Sequence, residues 1–140
     1  LLDGCSQVVI FAATIGIGID RLINKYSRIS PTKAVLLQGL GAERIESLCD
    51  KFCSEFKNRT PRFSPGYGDV DLSMQKDFFS LLEPQKRIGL TLNESMLMSP
   101  SKSVSAVFGI KEGSLCEIEK VNKCDSCNNH ECEYRKRRYV

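Results

Sequence analysis

The sequence predicts an α+β fold: a single domain with a small twisted antiparallel sheet and helices packed around it. Three observations carry this. Gln7–Ala13 is an unbroken apolar run rich in β-branched residues, as in a strand covered on both faces. Ser30-Pro31 then opens a long helical pattern, with a capping hydroxyl and a proline in the first turn. Ser103–Ile110 returns to alternating and apolar residues of strand character. The order strand, helices, then paired strands is that of an α+β domain.

Taken in order, Gln7–Ala13 leads into a turn at Thr14-Ile-Gly-Ile-Gly18, after which Ile19, Leu22, Ile23 and Tyr26 repeat at helical spacing. Gly16 and Gly18 form a G-x-G, but no third glycine or downstream acid completes a dinucleotide-binding fingerprint. The helix beginning at Pro31 carries an apolar stripe at positions 37, 40, 45, 48, 52 and 56, through to Asn58. Cys49 and Cys53 lie beside that stripe and read as small buried hydrophobes. Leu72–Leu82 forms a short amphipathic helix stopped by Pro84. Ile88–Leu92 and Ser103–Ile110 are the paired strands, joined by an irregular connection with a turn at Ser99-Pro100.

With 140 residues, 41% hydrophobic and 26% charged, the chain has the size and composition of one globular domain. A net charge of +3 is too small to point to a nucleic-acid partner. Its basic excess gathers at Arg135, Lys136, Arg137 and Arg138, a pattern typical of a solvated tail. No apolar stretch is long enough to span a bilayer, because Val8–Ile19 is broken by Thr14, Gly16 and Gly18. No signal peptide is evident, and Leu1 reads as the start of a fragment or a processed chain. A cytoplasmic setting with reduced thiols is the expectation for the seven cysteines.

The chemistry concentrates in Arg62-Phe-Ser-Pro-Gly-Tyr67-Gly68-Asp69. Pro65 presets φ for a turn, and Gly66 can adopt the positive φ that brings backbone amides towards a ligand. Arg62 can fork onto a carboxylate or phosphate. Tyr67 offers a ring face and a hydroxyl. The alternative for this stretch is a tight loop between helices with a surface arginine.

Residues 113–140 form a Cys-rich basic tail after a main unit at 1–112. Cys124 and Cys127 make a Cys-x-x-Cys knuckle, and Cys132 with Cys116 or His130 could complete a tetrahedral zinc site. Iron–sulfur ligation by Cys116, Cys124, Cys127 and Cys132 is chemically open too, as are free thiols or a local disulfide.

Several separated motifs resemble the reactivation domain of cobalamin-dependent methionine synthase. They are Arg62-x-x-Pro65-Gly66-Tyr67, then Lys86-x-x-Gly89-x-x-Leu92-x-Glu94-Ser95-x-x-Met98-x-Pro100, then Ser103-Val104-Ser105. The similarity extends back through the helix carrying Glu46 to Phe11-Ala-Ala-Thr14-x-Gly16, and the chain looks like a short, stand-alone relative.

That resemblance implies an S-adenosylmethionine-binding domain for the reductive reactivation of cobalamin, in the service of methionine biosynthesis. By analogy Arg62 would pair with the ligand carboxylate and the backbone about Ser64 and Gly66 would meet the adenine edge. Tyr67 would border the side facing the corrin, and Glu46 would lie near the ligand's positive end. An early acidic contact of the family would fall upstream of Leu1. No Asp-x-His-x-x-Gly is present, so the cobalamin would arrive on a partner, a methionine synthase or another corrinoid protein, with a flavodoxin-type electron donor. The sulfonium is itself an activated methyl donor, so the domain needs no triad, only positioning. The resemblance also leaves open a reactivator of a different corrinoid methyltransferase. A separate reading from the tail alone is a zinc-knuckle module for nucleic acid, which the shortage of interleaved aromatics argues against.

Overall fold

The computed structural model describes residues 2–67 and 70–112. Its central connection joins the two ends of that span. β1 (Gln7–Thr14) runs antiparallel to β4 (Ser103–Ile110), in a register that sets Gln7 opposite Ile110 and Thr14 opposite Ser103. The segment after the long helix lies along the other edge of β4 through bridges Arg59↔Ile110 and Phe63↔Val107. β4 is thus the middle member of three extended segments, and all five residues from Ser105 to Gly109 are buried.

This corrects the reading of Gln7–Ala13 as the doubly covered strand. Val8 is 51% exposed and only Phe11 in β1 is buried, and among the described residues β1 has a strand partner on one edge only. The strand covered on both faces is β4.

Two helices precede the site. α1 (Gly18–Ile29) and α2 (Pro31–Ser54) form a hairpin hinged at Ser30, with Pro31 in the first turn of α2 as expected, although the Ser30 side chain makes no capping hydrogen bond. α2 faces the sheet and builds the core: Ile45, Cys49 and Cys53 pack with Phe11, Ala106 and Phe108. Phe52 and Phe56 close the cluster, with ring centroids 5.0 Å from Phe11 and 5.2 Å from Phe108 respectively. Both cysteines have no exposed surface, as expected of small buried hydrophobes.

The buried stripe of α2 differs from the expected one. Ala34, Gly41, Ile45, Cys49 and Cys53 face inward, whereas Leu40 and Leu48 are 64% and 42% exposed. The reason is close approach: a Cβ at Gly41 would stand 3.1 Å from both Ile19 Cγ1 and Lys102 Cγ. Small residues set how near α2 can lie, and the leucines turn outward. α2 also ends at Ser54, four residues short of the expected Asn58.

After the 59–67 segment come α3 (Met74–Leu82) and α4 (Pro84–Ile88), separated by Glu83 in a left-handed conformation. Ile88–Leu92 is therefore not the strand expected. Its first residue ends α4, Gly89 caps that helix at φ +66°, and only Thr91–Leu92 (β2) extends, pairing with Met98–Ser99 (β3) in a separate small hairpin. The helical turn wins because Pro84 suits a first helical position and Gly89 tolerates the left-handed cap. The architecture is α+β, as the sequence indicates. No helix among the described residues is long and apolar enough to cross a membrane.

Phe108 has no exposed surface and packs edge-on against both Phe11 and Phe56. Phe108→Ala should destabilise the fold by about 3–5 kcal/mol, read as a lowered midpoint in urea denaturation.

Candidate functional site

The segment carrying Arg62 is positioned by β4. Thr60 N–H donates to Gly109 O (2.8 Å), and Gly109 N–H donates back to the Thr60 hydroxyl (3.0 Å). Phe63 and Val107 exchange both backbone hydrogen bonds at 2.8 Å. Between the two bridges the segment advances four residues (59 to 63) while β4 advances three (110 to 107), so one residue is extra. A bulge of this kind re-aims side chains. Here the side chain so placed is Arg62.

Arg62 lies against α2, with Nη1 donating to Asp50 Oδ1 and Nη2 to Glu46 Oε2. Glu46 and Asp50 stand one helical turn apart, so their carboxylates share a face and repel each other. The planar guanidinium spans both and offsets that repulsion. Its side chain is 16% exposed, against 56% for Glu46 and 72% for Asp50, so the cation is sheltered and the acids remain solvated. Burial works against the Arg62 charge, but the hydrogen bond to Asp50 and the charges of Asp50 and Glu46 outweigh it and raise its pKa. Two exposed acids make the pairs worth only about 1 kcal/mol each. Their larger effect is geometric, because they fix where the cation sits.

Beneath the pair lies Cys49. Burial pushes its thiol up to about 11, and the nearby Arg62 charge offsets only part of that. The group is a neutral wall behind the ion pair, not a nucleophile.

Beyond Arg62 the chain turns. Tyr67 N–H donates to Ser64 O (3.1 Å), with Pro65 and Gly66 as the central residues and Gly66 at φ +87°, as in a type II turn. Gly66 N–H donates onward to Val70 O (2.8 Å). Pro65 is buried, Ser64 half-buried and Tyr67 74% exposed, so the turn is anchored at Pro65 and ends on an exposed phenol. A Cβ at Gly66 would meet Leu72 Cδ1 at 3.2 Å.

Of the residues singled out in the sequence, Arg62 and Glu46 are brought into direct contact, with Ser64, Gly66 and Tyr67 on the turn that follows. Asp50 was missed. Its signal is its position four residues after Glu46, on the same helix face. Gly68, Asp69 and the four tail cysteines, Cys116, Cys124, Cys127 and Cys132, lie outside the described residues, as does His130. Among the described residues no cluster of three or more His, Cys, Asp or Glu could hold a metal ion. Two surface grooves, one between α1 and α2 and one beside α3, α4 and β2, lie away from Arg62.

The family model for the vitamin B12 dependent methionine synthase activation domain matches residues 41–138, more than two thirds of the sequence. The chain belongs to this family. The match starts within α2 and takes in Glu46, Asp50 and the whole 59–67 segment. The fold is also that of a solved crystal structure, the MetH reactivation domain bound to AdoHcy, with a TM-score of 0.69 at 20% sequence identity. That similarity covers 77% of this chain but 40% of the other, so the chain spans well under half the length of that relative. No curated protein matches.

Two outcomes follow for this activation domain. The Cys49 thiol titrates higher folded than the ordinary 9.0, so its contribution is fully present below about pH 9 and is lost as pH rises towards 11. The free energy of unfolding of the wild type, from urea denaturation, should therefore fall by on the order of 2 kcal/mol more than that of Cys49→Ala across that window. Gly66→Ala should cost about 1 kcal/mol or more, read as a lower thermal midpoint, because alanine is strained at that positive φ.

Proposed function

We propose that this chain binds S-adenosylmethionine at the Arg62–Tyr67 segment and presents its methyl group to cobalamin carried by a partner, as the activation step of a B12-dependent methionine synthase. The observation that carries the proposal is the sheltered Arg62 cation, held on Glu46 and Asp50 and followed along the chain by the Pro65-Gly66 turn and an exposed Tyr67. Family membership supports it, as does the fold shared with a reactivation domain whose bound AdoHcy is the demethylated form of the same ligand.

The ligand brings a carboxylate, an ammonium and a sulfonium. Arg62 has five N–H donors, and the two contacts to α2 leave others for the ligand carboxylate. Glu46 and Asp50 are solvated enough to receive the ammonium without a large desolvation cost. Backbone groups about Ser64 and Gly66 are suited to the adenine edge, and the Tyr67 ring offers the sulfonium side an aromatic face. Reduced cobalt on the partner supplies the nucleophile, after an electron from a flavodoxin-type donor. This chain's own residues bind and orient. The partner is a cobalamin-binding methionine synthase or a related corrinoid protein.

Isothermal titration of the chain with S-adenosylmethionine should give saturable heat, and Arg62→Ala should weaken binding by about 10- to 100-fold. Arg62→Lys keeps the charge but not the fork and should recover only part of the loss. Absence of heat with the wild type at millimolar ligand would refute the proposal.

A further inference from the structure

The outward face of α2 in its first half has a pattern of its own. Lys33, Leu36, Leu40 and Glu43 follow one another at spacings of three, four and three, which keeps them on a single helical stripe. Lys33 and Glu43 are exposed, and Leu36 and Leu40 are 67% and 64% exposed. Leu36 and Leu40 also line, with Tyr26 and Lys33, a groove of about 260 Å³ between α1 and α2. Two exposed leucines a turn apart, bordering a groove, are not accounted for by the site at Arg62, and no described residue covers them.

The order of the four residues reads the same in reverse once charge is inverted. A two-fold axis crossing the stripe midway between Leu36 and Leu40 sets Leu36 against Leu40 of a second copy, and Lys33 against its Glu43. Each of these contacts then occurs twice, as an isologous interface requires. Neither Lys33 nor Glu43 forms an ion pair with another described residue. Lys33 instead sits 5.4 Å from the Tyr26 ring centroid, at the edge of the groove. A random partner would need to supply both the apolar pair and charges of opposite sign at the two ends. A second copy of this chain supplies them automatically.

We infer that this chain self-associates through α2 as an antiparallel two-fold dimer, with each copy's Leu36 and Leu40 entering the other's α1–α2 groove. The Lys33–Glu43 pairs fix the orientation, since a parallel arrangement would set like charges together. Arg62, Glu46 and Tyr67 lie outside this interface. The contact involves roughly three turns of one helix per copy and falls below the standard interface size, so the dimer is weak, with a dissociation constant on the order of 10–100 μM.

Sedimentation equilibrium of the full 140-residue chain across that concentration range should show a reversible monomer–dimer equilibrium. Lys33→Glu and Glu43→Lys should each weaken it about tenfold, and the double variant should return it to near the wild-type value. Rescue by the double swap is specific to the antiparallel pairing. All three variants replace exposed side chains, and unchanged circular dichroism and thermal midpoints will show that they fold. A chain that stays monomeric at every concentration overturns the proposal, whether residues 113–140 or solvent then cover the face. So does dimerisation unaffected by the single swaps. Flotation of a strictly monomeric chain with anionic phospholipid vesicles would assign the face to a membrane surface instead and equally overturn it. These readouts do not depend on S-adenosylmethionine binding.

Discussion

The backbone pairing of β4 on both of its edges is the constraint on which the rest of the structure depends. One edge binds β1 over eight residue pairs, which fastens the beginning of the described chain to its end. The other edge binds the 59–63 segment through Thr60 and Phe63. A strand buried on both faces must satisfy its N–H and C=O groups in this way. It follows that the loop bearing Arg62 is not free to move independently of the core. Its backbone belongs to the sheet.

That attachment determines the electrostatics of the site. α2 packs over the same sheet through Ile45, Cys49 and Cys53, which sets the rotation of the helix and directs Glu46 and Asp50 towards the bulged segment. The guanidinium then meets two carboxylates at once, with the neutral Cys49 thiol behind it. Neither the arginine nor the acids are held by local structure. They meet because two elements that carry them are docked independently on β4 and its neighbours. A site built this way presents a fixed cation next to solvated acids.

The two faces of α2 have different tasks. Towards the sheet and α1 it uses alanine, glycine and cysteine, small enough for close packing, with Ile45 as its one large buried residue. Outward it carries Leu36 and Leu40 at the edge of the groove with Tyr26. Hydrophobicity alone would assign leucine to the core and glycine to the surface. The closeness of Ile19 and Lys102 to Gly41 reverses this, because volume and not transfer free energy limits what fits between packed backbones.

Much of this was legible in the sequence. The apolar runs at 7–13 and 103–110, the Ser30-Pro31 helix start and the Pro65-Gly66 turn are local signals. They depend on residue-by-residue preferences and survive in any context that does not oppose them. The motif resemblance likewise pointed to the family that the comparison then established. Less legible was the fate of Ile88–Leu92, where Pro84 and Gly89 together favour a helical turn over the strand that the apolar pattern suggested. Periodicity also could not rank the two sides of α2. By itself the sequence determined the two long extended runs, the helix that starts at Pro31 and the turn at Pro65-Gly66, since φ/ψ preference and side-chain spacing act over a few neighbouring residues. Only the tertiary structure decided that β4 is the central strand and that Arg62 meets Glu46 and Asp50. Contacts at such separations arise from how whole elements pack, and no short-range preference encodes them.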